Sequence, residues 1–300
     1  MSETIPTLQT SAGACPAFEI LRPPVQHLPI VFSSPHSGRV YPSDFMAATR
    51  LSPDAIRRSE DLFVDQLFDF VPAFGAPLLY ARFPRAFLDV NREPYELDPK
   101  MFDADLPVFA NVASVRVAGG LGTIPRIVAE KEDIYRARLS VAEGLDRIDR
   151  IYKPFHACLE GLIQATRDRF GIALLLDCHS MPSTVRALPG GRRPDIVVGD
   201  RFGTSASGRI VAQVVTSLSR LGYDVTRNKP YAGGYITERY GKPALGLHAV
   251  QIEINRGLYS DERRYVPTDN FDRVRADLAS FVTELAAAIG ADFGFAAAAE

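Results

Sequence analysis

The sequence predicts an α/β fold, with a sheet flanked by helices on both faces. Three observations carry this. Short apolar runs of strand length recur along the chain, among them LPIVFS at Leu28–Ser33, IALLLDC at Ile172–Cys178 and DIVVG at Asp195–Gly199. Longer stretches with apolar residues at helical spacing alternate with them, and that alternation is the signature of strand–helix–strand units. These three runs are largely apolar rather than alternating, as strands covered on both faces are.

The elements follow in order. Residues 1–22 read as a loose arm, because they show neither period. Leu28–Ser33 is the first buried strand. Ser52 is a candidate N-cap for a helix over Pro53–Val71, with Ile56, Phe63, Leu67 and Phe70 near helical spacing. Pro77–Ala81 and Ala86–Val90 are short strand candidates. Lys131–Phe170 reads as one long helix, or two broken near Pro154. After the strands at 172–178 and 195–199 comes an amphipathic helix, Ala206–Leu221, with Ile210, Val214, Val215 and Leu218 on one side. His248–Ile254 alternates as a strand, and Phe271–Ile289 closes the fold as a helix. With no repeat or linker-like stretch, residues 23–292 are expected to form a single catalytic domain, followed by a frayed tail at 293–300.

Composition narrows the function classes. The 300 residues are 46% hydrophobic and 23% charged, with a net charge of −2. Neither a nucleic-acid nor an anionic-membrane surface is suggested by that balance. Three irregularly spaced cysteines (Cys15, Cys158, Cys178) make no disulfide framework and no CxxC clip, and the N-terminus lacks a basic stretch followed by an apolar run. These features predict a cytoplasmic protein.

Ligands of open α/β sheets gather beyond the carboxyl ends of the strands. At those ends stand Pro35-His36-Ser37-Gly38, Asp89-Val90-Asn91-Arg92, Asp177-Cys178-His179-Ser180 and Gln251 to Arg256. Two histidines and one carboxylate form the ligand set of many catalytic zinc sites. His36 and His179 are the candidate ligands, with the carboxylate at Asp61 or, as the alternative, Glu60. Asp177 is placed to accept the second ring N–H of His179. Glu253, between Ile252 and Ile254, points to the face opposite its apolar neighbours and is the candidate general base. Asn91 and Arg92 offer an amide and a planar fork suited to a carboxylate, with Arg85 close by as a further substrate contact. The segment NKPYAGGYIT (228–237) reads as a substrate-covering loop with Asn228, Tyr231 and Thr237 as polar contacts. His27, His156 and His248 read as structural.

Other chemistries lack their motifs. There is no GxSxG elbow, GxGxxG or P-loop. Cys178 is adjacent to His179 and so points to the opposite side of a strand, which makes it a buried hydrophobe rather than a thiol nucleophile.

Seven strings in order, SSPHSGRVYP (33–42), SEDLFVDQLF (59–68), DVNRE (89–93), LLLDCHSMPS (174–183), DIVVGDRFGTS (195–205), NKPYAGGYIT (228–237) and QIEINRGLY (251–259), resemble the N-formylglutamate amidohydrolase family. The resemblance implies a mixed, mainly parallel sheet in a three-layer sandwich like that of zinc carboxypeptidases and aspartoacylase-type deacylases. It implies one catalytic zinc or similar divalent ion and hydrolysis of the N-formyl amide of an acidic amino acid, which would place the enzyme in histidine degradation. The wider group spaces its first histidine and acid as HxxE, whereas His36 is followed by Ser, Gly and Arg, so the carboxylate ligand must come from later in this chain. A same-fold zinc amidohydrolase acting on another N-acyl amino acid or peptide end is the alternative. The expected partner is a small acidic N-acyl amino acid, with no nucleic acid and no membrane.

Overall fold

The computed structural model describes residues 5–128, 132–187 and 191–293. Strands β1 (Thr7–Thr10), β2 (Gly13–Pro16), β3 (Phe18–Leu21), β4 (Ile30–Ser34), β5 (Leu78–Ala81), β6 (Ala173–Met181), β7 (Ile196–Gly199), β8 (Val225–Arg227) and β9 (Leu247–Asn255) alternate with nine α-helices among the described residues. The helices are α1 (Ser43–Ala48), α2 (Pro53–Arg57), α3 (Val64–Leu67), α4 (Val115–Ala118), α5 (Val141–Arg147), α6 (Lys153–Phe170), α7 (Gly208–Arg220), α8 (Tyr235–Tyr240) and α9 (Phe271–Phe293). Seven strands form one mixed α/β sheet in the order β3-β5-β4-β6-β9-β7-β8. The pairs β4–β6, β6–β9 and β7–β8 are parallel, and β7 runs antiparallel to β9. No helix among the described residues is long and apolar enough to cross a membrane.

The chain divides into two compact units. One comprises Met1–Glu19, Pro35–Glu60 and Tyr80–Leu159; the other comprises Ile20–Ser34, Asp61–Leu79 and Glu160–Glu300. The second holds β4, β6, β9, β7 and β8. All nine residues of β6 are buried, as a central strand with both faces covered requires. Serine caps start the helices where the side chain can accept a free amide. Ser52 accepts from Ala55 N at 3.2 Å, Ser140 from Glu143 N at 3.1 Å and Ser207 from Ile210 N at 3.4 Å. Helix α7 buries Ile210, Val211, Val214 and Leu218, one stripe at helical spacing.

Several expected elements are corrected. The N-terminal arm is not loose from Thr7 onward: β1 and β2 pair as an antiparallel hairpin, and β3 joins the main sheet. The expected helix 53–71 breaks into α2 and α3, because Phe63 adopts a left-handed conformation (φ 57°). Residues 86–90 form turns rather than a strand. The Pro84 carbonyl accepts from Phe87 N, and Asp89 N turns away to the Thr123 carbonyl at 2.7 Å. The helical region expected from Lys131 starts only at the Ser140 cap, and Lys131 itself lies outside the described residues. It then continues past Pro154, whose missing N–H and steric demand are met by a widened π-helical turn at Ile148–Tyr152. The β6 strand runs on to Met181, so His179 lies within it rather than after it. Of the expected tail, 294–300 lie outside the described residues.

Candidate active site

In the second unit the chemistry is built on two adjacent parallel strands. On β6 and β9, Asp177 pairs in register with Gln251 and His179 with Glu253. Residues two apart on a strand share a face, and parallel partners do too, so these four side chains stand on one face of the sheet. His179 Nε2 lies 2.9 Å from Asp177 Oδ2, and its Nδ1 lies 2.9 Å from Asp61 Oδ2. All three side chains are buried. Burial disfavours the imidazolium of His179, but Asp177, Asp61 and Glu253 outweigh it and hold the His179 pKa well above its ordinary value.

Asp61 is positioned by tertiary bonds rather than by a helix. It lies in the break between α2 and α3. Arg256, just past β9, donates from Nη2 to Asp61 Oδ1 at 3.1 Å and from Nε to Ser180 Oγ at 2.9 Å. The fully buried Tyr259 donates its hydroxyl to the Leu62 carbonyl at 2.8 Å. Glu253 is buried and accepts from Gln251 Nε2 at 2.8 Å, while Gln251 Oε1 accepts from Gly234 N at 2.8 Å. The glutamate is thereby tied through Gln251 to the Gly-Gly segment.

In the first unit, Asp89 is the hub. Its Oδ1 lies 2.7 Å from His36 Nε2 and accepts from Asn91 N at 2.9 Å, and its Oδ2 accepts from Arg85 Nη2 at 2.7 Å. Burial works against the Asp89 carboxylate, but Arg92, His36 and Arg85 hold its pKa well below the usual range. Arg92 Nε donates to the Leu121 carbonyl at 3.0 Å and Nη1 to the Asn91 carbonyl at 2.9 Å. The turn carrying His36 depends on Gly38: a Cβ there would stand 2.0 Å from the Phe83 carbonyl oxygen. Glu60 is engaged by the Tyr41 hydroxyl and by Arg57, whose Nε donates to Oε1 at 3.1 Å.

Among the described residues, His36, Asp61 and His179 form a buried group that can bind a metal ion. Glu60 is outside that group. Two imidazoles and a carboxylate suit zinc or a similar divalent ion, and each histidine has one ring nitrogen held by a buried carboxylate, as metal-bound histidines commonly do.

The loop residues are differently employed. Asn228 has φ 59°; its Oδ1 accepts from Asp200 N at 3.0 Å, and its Nδ2 donates to Asp200 Oδ1 at 2.5 Å. Thr237 is fully buried in α8 and donates to the Gly234 carbonyl at 2.8 Å. Both side chains brace the segment on which they sit. Tyr231 is partly exposed. Of the remaining histidines, His156 Nε2 lies 2.8 Å from the Val90 carbonyl and His248 Nδ1 accepts from Ser207 N at 3.2 Å. Cys178 is buried, and burial with the nearby Asp177 pushes its thiol pKa well up, against a nucleophilic role.

Sequence reasoning missed Asp89 as the partner of His36, Arg256 as the partner of Asp61, and Gln251. Their linear signals were a place at a strand end and membership of the strings DVNRE and QIEINRGLY.

Comparison with known proteins adds the family. The family model described as N-formylglutamate amidohydrolase matches residues 28–260. The N-formylglutamate deformylase of Pseudomonas putida is 30% identical over 244 residues, covering 78% of this chain and 83% of that protein. Its counterpart from Pseudomonas aeruginosa is 28% identical over 240 residues, covering 79% and 84%. The crystal structure of N-formylglutamate amidohydrolase from Ralstonia eutropha JMP134 superposes with a TM-score of 0.85 at 34% identity, covering 93% of this chain and 99% of that one. A gene product of Agrobacterium tumefaciens shares the fold, with a TM-score of 0.65 at 22% identity over 92% and 94% of the two chains. This chain belongs to the N-formylglutamate amidohydrolase family and is a hydrolase.

Proposed function

We propose that the protein is a metal-dependent deformylase that cleaves N-formyl-L-glutamate to formate and glutamate. The observation that carries this reading is the histidine arrangement: two buried histidines, each backed by a buried carboxylate, with Asp61 on the second ring nitrogen of His179. The register supports a shared site. Ser33 pairs with Asp177 across β4 and β6, and His36 follows Ser33 by three residues as His179 follows Asp177 by two. His36, Asp61 and His179 would then hold one divalent ion, which, when bound, supplies Lewis-acid polarisation of the formyl carbonyl and stabilises its developing negative charge.

The chain's own groups do the rest. Glu253, level with His179 on the neighbouring strand, takes a proton from the attacking water and delivers it to the departing amine. Gln251 keeps the Glu253 carboxylate turned to one side through its amide. Arg92 holds a substrate carboxylate through Nη2, which makes no hydrogen bond among the described residues, with Asn91 beside it. Arg85 contributes by anchoring Asp89. That anchoring converts binding of the acidic part into alignment of the formyl group.

Two measurements test the reading. Metal analysis of protein kept from chelators should find about one divalent ion per chain; a metal-free active enzyme would overturn the metal assignment. Formate release should be fastest with N-formyl-L-glutamate. Equal rates with N-formyl-methionine, or equal turnover of N-acetyl-glutamate, would move the enzyme to the broader N-acyl amino acid class.

A further inference from the structure

The first unit holds a cationic cavity, about 280 Å³ in volume, lined by Arg50, Lys100, Arg126, Arg136 and Arg138 with Asp133. None of the residues assigned to the metal, the base or the substrate carboxylate lines it. We propose that this cavity is a binding site for a small, multiply charged oxyanion.

The charge balance is the first ground. Among the described residues, five cations share the cavity with a single lining carboxylate. That carboxylate is already engaged, since Asp133 Oδ1 accepts from Arg126 Nη1 at 2.8 Å. Arg126 is doubly held, because its Nε donates to Asp98 Oδ2 at 2.8 Å. Among the described residues, Arg50, Lys100, Arg136 and Arg138 make no ion pair. Like charges gathered around one concavity raise a positive potential that only an anion relieves.

Rigidity of the frame is the second. The segment 133–139 is bracketed by backbone bonds on two sides. Arg50 N donates to the Ile134 carbonyl at 2.8 Å and Arg136 N to the Ala48 carbonyl at 3.1 Å. Ile134 N donates to the Arg126 carbonyl and Leu139 N to the Met101 carbonyl, both at 2.8 Å. Arg136 is further steered by its Nε, which donates to the Thr49 carbonyl at 2.8 Å and leaves the two terminal nitrogens of the fork for a ligand. Planar guanidinium forks match the oxygens of carboxylates and of phosphate or sulfate equally well. The volume sets the size: it is at the lower end of ligand pockets, which suits a small anion rather than a nucleotide.

Calorimetric titration of the intact, metal-loaded protein tests this, with inorganic phosphate in one arm and tricarballylate in the other. Saturable binding is expected at millimolar anion or below, weakening as sodium chloride is raised. The double variant Lys100→Gln/Arg138→Gln should bind at least about tenfold more weakly, with unchanged formate-release kinetics. Preference for phosphate identifies a tetrahedral oxyanion as the ligand class, and preference for tricarballylate identifies a polycarboxylate; both support the site. A matching circular-dichroism melt verifies the double variant's fold, and if it fails to fold, Lys100→Gln alone carries the comparison. Absence of binding by either anion at millimolar concentration overturns the proposal, as does equal binding by wild type and variant.

Discussion

Asp177 and His179 stand two residues apart on one strand and meet side chain to side chain, with Asp177 Oδ2 2.9 Å from His179 Nε2. Strand geometry makes this contact local, since alternate residues share a face. His36 reaches the same kind of partner by a different route. Its carboxylate, Asp89, is 53 residues away in sequence and 2.7 Å away in space. In each case the carboxylate fixes the ring orientation and the nitrogen left for a ligand.

If His36 and His179 hold the proposed ion, replacing either carboxylate by its amide should therefore loosen it without removing a ligand. Asp177→Asn and Asp89→Asn are each expected to lower metal affinity by about 10–100-fold. Competition with a chromophoric chelator measures it, and wild-type retention by both variants would show that the histidines need no such support.

Glu253→Gln should separate metal binding from turnover. Its metal content should match wild type while kcat falls by about 10²–10⁴-fold, the usual worth of a positioned acid–base group. Formate release within a few-fold of wild type would remove Glu253 from that role.

Loss of the fork at residue 92 should be felt as substrate selectivity. With Arg92→Ala, kcat/KM for N-formyl-L-glutamate should drop about 10–100-fold, the scale of a charge-assisted hydrogen bond. For analogues with one or the other carboxylate amidated, one should show almost no difference between variant and wild type, and that one names the carboxylate Arg92 holds. A uniform loss over both would point to a structural role.

Two substitutions probe the frame. Tyr259→Phe deletes the hydroxyl donated to Leu62 O and should cost about 1–2 kcal/mol of stability. Gly38→Ala drives a Cβ to 2.0 Å from a backbone oxygen and should cost at least the upper end of the about 1–3 kcal/mol typical of overpacking. Urea midpoints report both, and an undisturbed Gly38→Ala protein would show that the turn behind His36 can shift.

The fold class, the placement of His36 and His179 beside the central strands and the face that Glu253 occupies were legible in the linear sequence for a common reason. Each rests on periodicity or on short-range strand geometry: apolar runs mark buried strands, alternation sets which face Glu253 occupies, and i, i+2 spacing joins Asp177 to His179. Where Pro53–Val71 was concerned, local spacing misled, because tertiary bonds to Asp61 and Leu62 from Arg256 and Tyr259 accompany a left-handed Phe63 that no helix accommodates. The same bonds distinguish Asp61, which faces His179, from Glu60, which is held by Tyr41 and Arg57. Asp89 stayed without a role in the sequence because its partner is 53 positions distant, and Asn228 and Thr237 looked available until their hydrogen bonds within the loop region were visible. The sequence by itself determined the central strands, the buried face of α7 and the chemical types beside the strand ends. Only tertiary structure decided which polar atoms meet, because hydrogen bonds between residues distant along the chain form only once packing has brought them together.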